Sequence, residues 1–256
     1  MSLSTIRDAV ILVAGTGSRL RPLTESRHKS MIEVGDVPLL FRLLDQLEAA
    51  GIERVVLATG YRADALESAA ASHNHGLEIA AAPNPDYDTT NNAESLRIAL
   101  SELGDRPFLL CDGDILLREP TWLEPMLAAP GESRLAVLEH DTIAAEEMKT
   151  VMAGDRVDSL SKDVDPDLAD AESIGVQTIG EGCVPRLRQR LDIMSDAERA
   201  DAYYEDIFSE LIAQGQDFYA RAIPEGTWTE IDTAEDLERA RAMAASWETS
   251  DLGAGG

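Results

Sequence analysis

Residues 9–31, AVILVAGTGSRLRPLTESRHKSM, join an apolar run to a glycine turn and then to a group of basic side chains. Residues 9–14 form a short, unbroken apolar run, the pattern of a strand buried on both faces. Gly15 and Gly17 let the following loop approach a ligand closely and take backbone conformations closed to other residues. Backbone N–H groups in such a loop can cradle phosphate. Arg19, Arg21, Arg27, His28 and Lys29 follow. A bare Gly-Thr-Gly is also compatible with a plain turn, so the basic cluster is what gives the loop a chemical reading.

That cluster stands out because the chain is acidic. Its 256 residues include 22 basic and 48 acidic side chains, a net charge of −26. Only Lys29, Lys149 and Lys162 are lysine. Such a surface repels nucleic acid, so no nucleic-acid partner is expected. It fits a solubility surface, or more sharply adaptation to a salty cytoplasm, where screening reduces self-repulsion. Scarce positive charge beside a glycine loop suggests a polyphosphate site, because Arg and Lys give charge-assisted bonds to phosphate oxygens. Leu20 stands where a dinucleotide-binding Gly-x-Gly-x-x-Gly needs its last glycine, and no Gly-Lys-Ser/Thr of a P-loop is present.

Outward from the opening strand, strands alternate with helices. Strands are expected at 55–58, 77–81 and 108–111, and helices at 63–72 and 93–103. A further helix has Pro38 in its first turn and Leu39, Leu40, Leu43, Leu44 and Leu47 as its apolar stripe. This alternation predicts an α/β fold with a mostly parallel sheet covered on both faces. The second half reads differently. Strands are expected at 134–138, 173–179, 218–222 and 227–231, with a hairpin turning at residues 153–156. Helices are expected at 187–192, 204–213 and 234–245, the last capped by Thr233. Residues 1–246 are read as one domain, with a nucleotide-binding half to about 115 and an acceptor-binding half from about 116. Residues 247–256 are read as a disordered tail. Cys111 and Cys183 are expected as reduced, buried thiols, and the histidines of "HNH" at 73–75 as solvated at a helix end. No apolar run spans a bilayer and no signal peptide is evident, which points to a cytoplasmic protein.

Asp112 and Asp114 in "CDGD" follow the strand at 108–111, and Asp232 follows another short strand. Ligands of open α/β sheets bind at such strand ends, and Mg²⁺ takes carboxylate oxygens while bridging to phosphate. Position alone leaves these residues equally readable as turn formers or helix caps. Lys162, in "SKDVDPD", could be a surface ion pair.

The motifs "GTGSRLRPLT…HKSM…VGDVPLL", "ATGY" (58–61), "CDGD" (111–114), "SLSKD" (159–163) and "WTEIDTAEDLERA" (228–240) together resemble the nucleoside-triphosphate transferase family. These are the sugar-phosphate nucleotidyltransferases and their cytidylyltransferase relatives. The resemblance spans nearly the whole chain and implies a three-layer, Rossmann-like mixed sheet. It departs at His28, where the family has proline. "NPDYDTTNNAESL", "ESIGV" and "YYEDIFSELI" are similar to the branch acting on phosphocholine, inositol-1-phosphate and aminoethylphosphonate.

The resemblance implies a Mg²⁺-dependent enzyme that transfers a nucleotidyl group, CMP from CTP being favoured, to a small phosphate monoester and releases pyrophosphate. The backbone of Gly15, Thr16, Gly17 and Ser18, with Arg19, would hold the β- and γ-phosphates, and Lys29 would neutralise charge on the reacting phosphates. Main-chain groups at Leu12 and Ala14, with Gly60 and Tyr61, would read the base. Asp114 and Asp232 would hold the metal, with Asp112 supporting the nucleotide site. Asn91 is assigned to the nucleotide and Asn92 to the acceptor, although either could instead cap a helix. Lys162 would bind the acceptor phosphate. Glu172 and Glu205 would bind acceptor hydroxyls or an ammonium group. Few aromatic residues are present to cage a trimethylammonium, which favours a polyol or sugar phosphate. Alternatives are a hexose-1-phosphate uridylyl- or thymidylyltransferase and a regulatory nucleotide-binding module without catalysis.

Overall fold

A computed structural model describes residues 5–73, 76–118, 121–140 and 143–253. Its strands are β1 (Asp8–Val13), β2 (Glu33–Val34), β3 (Val37–Pro38), β4 (Arg54–Thr59), β5 (Glu78–Ala81), β6 (Phe108–Asp112), β7 (Ile115–Leu117), β8 (Ser133–Leu138), β9 (Lys149–Ala153), β10 (Arg156–Ser161), β11 (Ala171–Ile179), β12 (Phe218–Ala222) and β13 (Trp228–Glu230). Its helices are α1 (Leu23–Ser26), α2 (Leu39–Ala49), α3 (Ala63–Ser72), α4 (Asn92–Leu103), α5 (Leu123–Leu127), α6 (Val184–Asp192), α7 (Asp196–Asp201), α8 (Tyr204–Ala213) and α9 (Ala234–Gly253).

Among the described residues, nine strands form one sheet in the order β5-β4-β1-β6-β11-β8-β12-β10-β9. The first four are parallel, as the strand–helix alternation predicts. The remainder is mainly antiparallel: β11 runs against β6 and β8, and the β9–β10 hairpin closes the far edge. Parallel pairing therefore dominates only the first half. Gly154 takes φ +71° in the hairpin turn, as the paired residues Ala153 and Arg156 require.

The period of two along each strand divides the core. Val10, Val56 and Leu110 pack with α4, α6 and α8 on one face. Ile11, Leu57 and Leu109 pack with α2, α3 and α5 on the other. The leucine stripe of α2 is buried throughout, and each fully buried leucine contributes roughly 1.5–3 kcal/mol of transfer free energy. Pro38 lies just before that helix, with ψ 142°, rather than inside its first turn.

Residues 15–38 are built rather than open: α1, two short 3₁₀ turns and the β2–β3 hairpin occupy them. Two expectations change. Residues 247–253 belong to α9 and are not a disordered tail; residues 254–256 lie outside the described residues. Trp247 Nε1 donates to Gly226 O at 3.1 Å, which holds the helix down past residue 245. His73 is not solvated, because its ring stacks on Phe41 at 4.1 Å and contacts Asp45 Oδ1 at 2.6 Å; Asn74 and His75 lie outside the described residues. Cys111 and Cys183 are free and buried, as expected.

Helix α9 packs Leu237, Ala240 and Ala244 against Leu20, Leu39, Leu116 and Ile231. This third cluster brings the end of the chain behind the glycine loop. Among the described residues no helix is long and apolar enough to cross a membrane.

Candidate active site

Parallel β1, β4 and β6 all point their carboxyl ends to the same edge, so the loops after Val13, Thr59 and Asp112 converge there. Glycines make the convergence possible. A Cβ on Gly113 would lie 2.2 Å from Val13 Cγ1 and 2.7 Å from Leu12 O. One on Gly60 would lie 2.7 Å from Ala14 O. Leu12 O accepts from Gly113 N at 3.0 Å and Ala14 O accepts from Tyr61 N at 2.9 Å. The main-chain oxygens expected to read a base thus also tie the three loops together.

Gly17 takes φ +59°, and Thr24 Oγ1 donates to its carbonyl at 2.8 Å. Gly15, Ser18 and Arg19 are exposed, while Lys29 is buried directly beneath Gly17. His28 carries φ −68°, a value proline would also impose. Its ring is buried, Nδ1 accepts from Ser30 N at 3.1 Å, and burial pushes its pKa down to about 4, so it is neutral near pH 7. The change from proline does not open the loop.

Lys29 Nζ donates to Asp114 Oδ2 at 2.9 Å and is also bonded to Asp232 Oδ1. Arg19 Nη2 pairs with the other Asp232 oxygen at 2.5 Å. Burial alone would lower the Lys29 pKa, but Asp114 and Asp232 outweigh it and hold the ammonium charged. Ile231 N donates to Asp114 O at 3.0 Å, which fixes the two strand ends together. The N-terminus of α9 is closed by Asp236, whose Oδ2 accepts from Thr233 N at 2.8 Å and Asp232 N at 3.1 Å.

A third carboxylate joins them. Oxygens of Asp114, Glu230 and Asp232 lie within 4.8 Å of one another. Desolvation of its carboxyl, then the charges of Asp114 and Asp232, push the Glu230 pKa up to about 8, although the residue as a whole is exposed. Asp114 Oδ1 is buried without a hydrogen-bond partner. Three crowded carboxylates with one unanswered oxygen form a donor set suited to a hard divalent cation. Glu230 was not among the expected site residues. It is the last residue of β13, two residues before Asp232.

The remaining expected residues form a second group along α8 and β11. Asp112 Oδ2 accepts from Tyr204 OH at 2.9 Å, and that hydroxyl accepts from Gln177 Nε2 at 3.1 Å. Gly175, at φ +75°, leaves room for Asp112, since a Cβ there would meet Oδ2 at 2.5 Å. Asn92 Oδ1 accepts from Tyr204 N at 2.8 Å. Asn91 caps α4 through Asn92 N at 2.8 Å and donates to Asp201 O at 2.9 Å. Both asparagines therefore fix helix ends. Lys162 is exposed, with Nζ 4.8 Å from the Tyr203 ring centre. Glu205 is buried at the start of α8, and burial pushes its pKa up to about 7. Glu172 lies further out beside His140 Nε2 at 3.3 Å; burial, then Glu147, push its pKa up to about 7.

Residues 9–189 match the MobA-like NTP transferase domain. The chain belongs to that family. It is 39% identical over 128 residues to the CMP-5'-(3-aminopropyl)phosphonate synthase of Streptomyces rubellomurinus, covering 50% of this chain and 20% of that protein. It is 27% identical over 259 residues to the bifunctional IPC transferase and DIPP synthase of Rubrobacter xylanophilus, covering 94% of this chain and 53% of that one. The chain thus spans about a fifth and about half of these two relatives. The solved structure of the inositol-1-phosphate CTP transferase from T. maritima superposes with a TM-score of 0.80 over 95% of this chain and 97% of that one, at 22% identity. That likeness establishes a shared fold.

Proposed function

We propose that the protein is a soluble, cytoplasmic, Mg²⁺-dependent nucleotidyltransferase that joins a nucleoside triphosphate, CTP being favoured, to a small phosphate or phosphonate. The observation that carries this reading is the Asp114–Glu230–Asp232 cluster, held with Lys29 and Arg19 at the mouth of the glycine loop. Two relatives support the choice of substrates, since one is named as a CMP-phosphonate synthase and the other as an IPC transferase.

An oxygen of the acceptor phosphate attacks the α-phosphorus in line, and the bond to pyrophosphate breaks. The attacking oxygen is already ionised, so the chain supplies no nucleophile. Its work is positioning and charge neutralisation. The open N–H groups of residues 15–18 and the exposed Arg19 hold the β- and γ-phosphates. Lys29 neutralises charge that accumulates on the leaving pyrophosphate. Lys162 holds the acceptor phosphate. Asp114, Glu230 and Asp232 would hold the Mg²⁺, which when bound supplies positive charge to the α-phosphate oxygens. Tyr204, Gln177 and Gly175 fix Asp112 at the floor of the site.

Pyrophosphate release by Asp114→Ala and Asp232→Ala tests the reading. Each substitution is expected to lower turnover at least ~10²-fold, the scale of losing an electrostatic stabiliser, with the melting curve still cooperative. Near wild-type rates in both would overturn the assignment.

A further inference from the structure

The turn from β4 into α3 contains a residue that its backbone does not favour. Arg62 takes φ 54° and ψ 34°, the left-handed region. Among the described residues every other positive-φ position is a glycine. A residue with a Cβ is strained there, and such strain persists only where surrounding contacts over-determine it. Arg62 is exposed, so burial is not what holds it. Its side-chain bonds are. Nη2 donates to Glu25 O, and Nε donates to Tyr61 OH at 3.1 Å. The guanidinium lies 5.4 Å from the centre of the Tyr61 ring, within cation–π range.

Those bonds reach α1, a helix with little else to hold it. It has four residues, too few to be stable alone, and of these only Thr24 is buried. Tyr61 OH donates to Thr24 O at 2.9 Å, and Thr24 Oγ1 donates in turn to Gly17 O at 2.8 Å. Thr24 Cγ2 lies 3.0 Å from the place a Cβ on Gly17 would take, so Thr24 also packs directly against the glycine loop. A chain of bonds thus runs from the Arg62 guanidinium through Tyr61 and Thr24 to the carbonyl of Gly17. The main-chain bond of Tyr61 N to Ala14 O does not use the Arg62 side chain, so the turn at Gly60 and Tyr61 keeps its own anchor.

Resting on the reading that residues 15–18 hold the β- and γ-phosphates, we infer that Arg62 is a positioning residue for the triphosphate. Through Glu25 and Tyr61 it fixes α1, and α1 fixes the glycine loop in the form that presents its N–H groups. Arg62 touches no reacting atom. Its effect falls on the phosphates that the loop grips and spares both the base and the acceptor.

The test compares wild type, Arg62→Gly and Arg62→Lys. Glycine takes the left-handed backbone without strain but removes both side-chain bonds. Lysine keeps the charge but lacks the fork that reaches Glu25 and Tyr61 together. The readouts are Kd for CTP and for CMP with Mg²⁺, and KM and kcat for pyrophosphate release, with thermal melts to confirm folding. Both variants are expected to weaken CTP about 10-fold, the scale of one charge-assisted hydrogen bond, while CMP affinity and the acceptor KM stay within ~2-fold of wild type. The loss should appear in the KM for CTP more than in kcat. Unchanged CTP affinity in Arg62→Gly overturns this inference and leaves the transferase reading standing. Wild-type affinity in Arg62→Lys also overturns it, since charge and not the clamp would then be responsible. Equal losses for CTP and CMP overturn it as well, because they mark a general loosening of the turn. Absence of pyrophosphate release by the wild type with any acceptor overturns the transferase reading alone, and the two affinities still decide the role of Arg62. No binding of any nucleoside triphosphate by the wild type overturns both.

Discussion

Lys29 Nζ donates to Asp114 Oδ2 at 2.9 Å, and the same ammonium is bonded to Asp232. A lysine thus holds together two of the carboxylates that would hold a divalent cation. The ammonium and the cation compete for the same oxygens. Lys29→Met should therefore lower stability in the absence of metal by ~3–5 kcal/mol, the cost of leaving buried charges unpaired. Added Mg²⁺ should restore more of it than in the wild type, up to ~2.7 kcal/mol at a hundredfold excess over the dissociation constant. Thermal melts with and without Mg²⁺ read both effects. An identical Mg²⁺ shift in the two proteins would mean that Lys29 and the metal do not share ligands.

Gly113 lies between the two aspartates of "CDGD", and its place is set by packing. A Cβ there would meet Val13 Cγ1 at 2.2 Å and the Leu12 carbonyl at 2.7 Å. Gly113→Ala should destabilise by ~1–3 kcal/mol, the range for overpacking. Gly182→Ala is the control, since nothing lies within 4 Å of its Cβ position. It should stay within ~0.5 kcal/mol of wild type. Urea unfolding midpoints measure the difference, and equal effects at the two glycines would contradict the packing account.

Glu172 carries a pH signature. Burial and then Glu147 push its pKa up to about 7, above the ordinary 4.5. The folded state therefore binds its proton more tightly than the unfolded state. The sign follows: the folded state is favoured below about pH 4.5, and that advantage is lost as pH rises through about 7. Glu172→Gln removes the cost and should flatten the decline in melting temperature across that window, by an amount equivalent to ~1–3 kcal/mol. A variant whose melting temperature tracks wild type at every pH in the window would show that Glu172 titrates normally.

Much of this was legible in the sequence. The apolar run at 9–14 and the glycine loop were readable because each carries a local signal, a strand buried on both faces and freedom of backbone; Asp114 and Asp232 were singled out by the resemblance, since an acid at a strand end reads equally as a turn former or cap. Glu230 was not legible because its place beside Asp114 depends on β13 pairing with β7, which sets it opposite Ile115. Tyr204 and Gln177 were missed for the same reason, since Asp112 meets them only when β11 lies against β6. Asn91 and Asn92 look alike in sequence, yet both are drawn into helix-end bonds by α7 and α8. The continuation of α9 to Gly253 was hidden because its last turns lack a regular apolar stripe.

The net charge of −26 bears on solution behaviour. If the acidic surface is an adaptation to salt, raising KCl from ~0.1 to ~1 M, which shortens the screening length from about 10 Å to 3 Å, should raise the urea midpoint. A midpoint independent of KCl would leave the charge as a solubility feature alone.

The central claim is nucleotidyl transfer at the Asp114–Glu230–Asp232 cluster. The most direct measurement is pyrophosphate release from CTP, UTP, dTTP, ATP and GTP, each paired with amine, polyol and hexose phosphates in the presence of Mg²⁺. The account predicts release that requires both an acceptor and Mg²⁺, greatest with CTP and abolished to at least ~10²-fold below wild type in Asp232→Ala. Tight nucleotide binding with no pyrophosphate release in any pairing would contradict it.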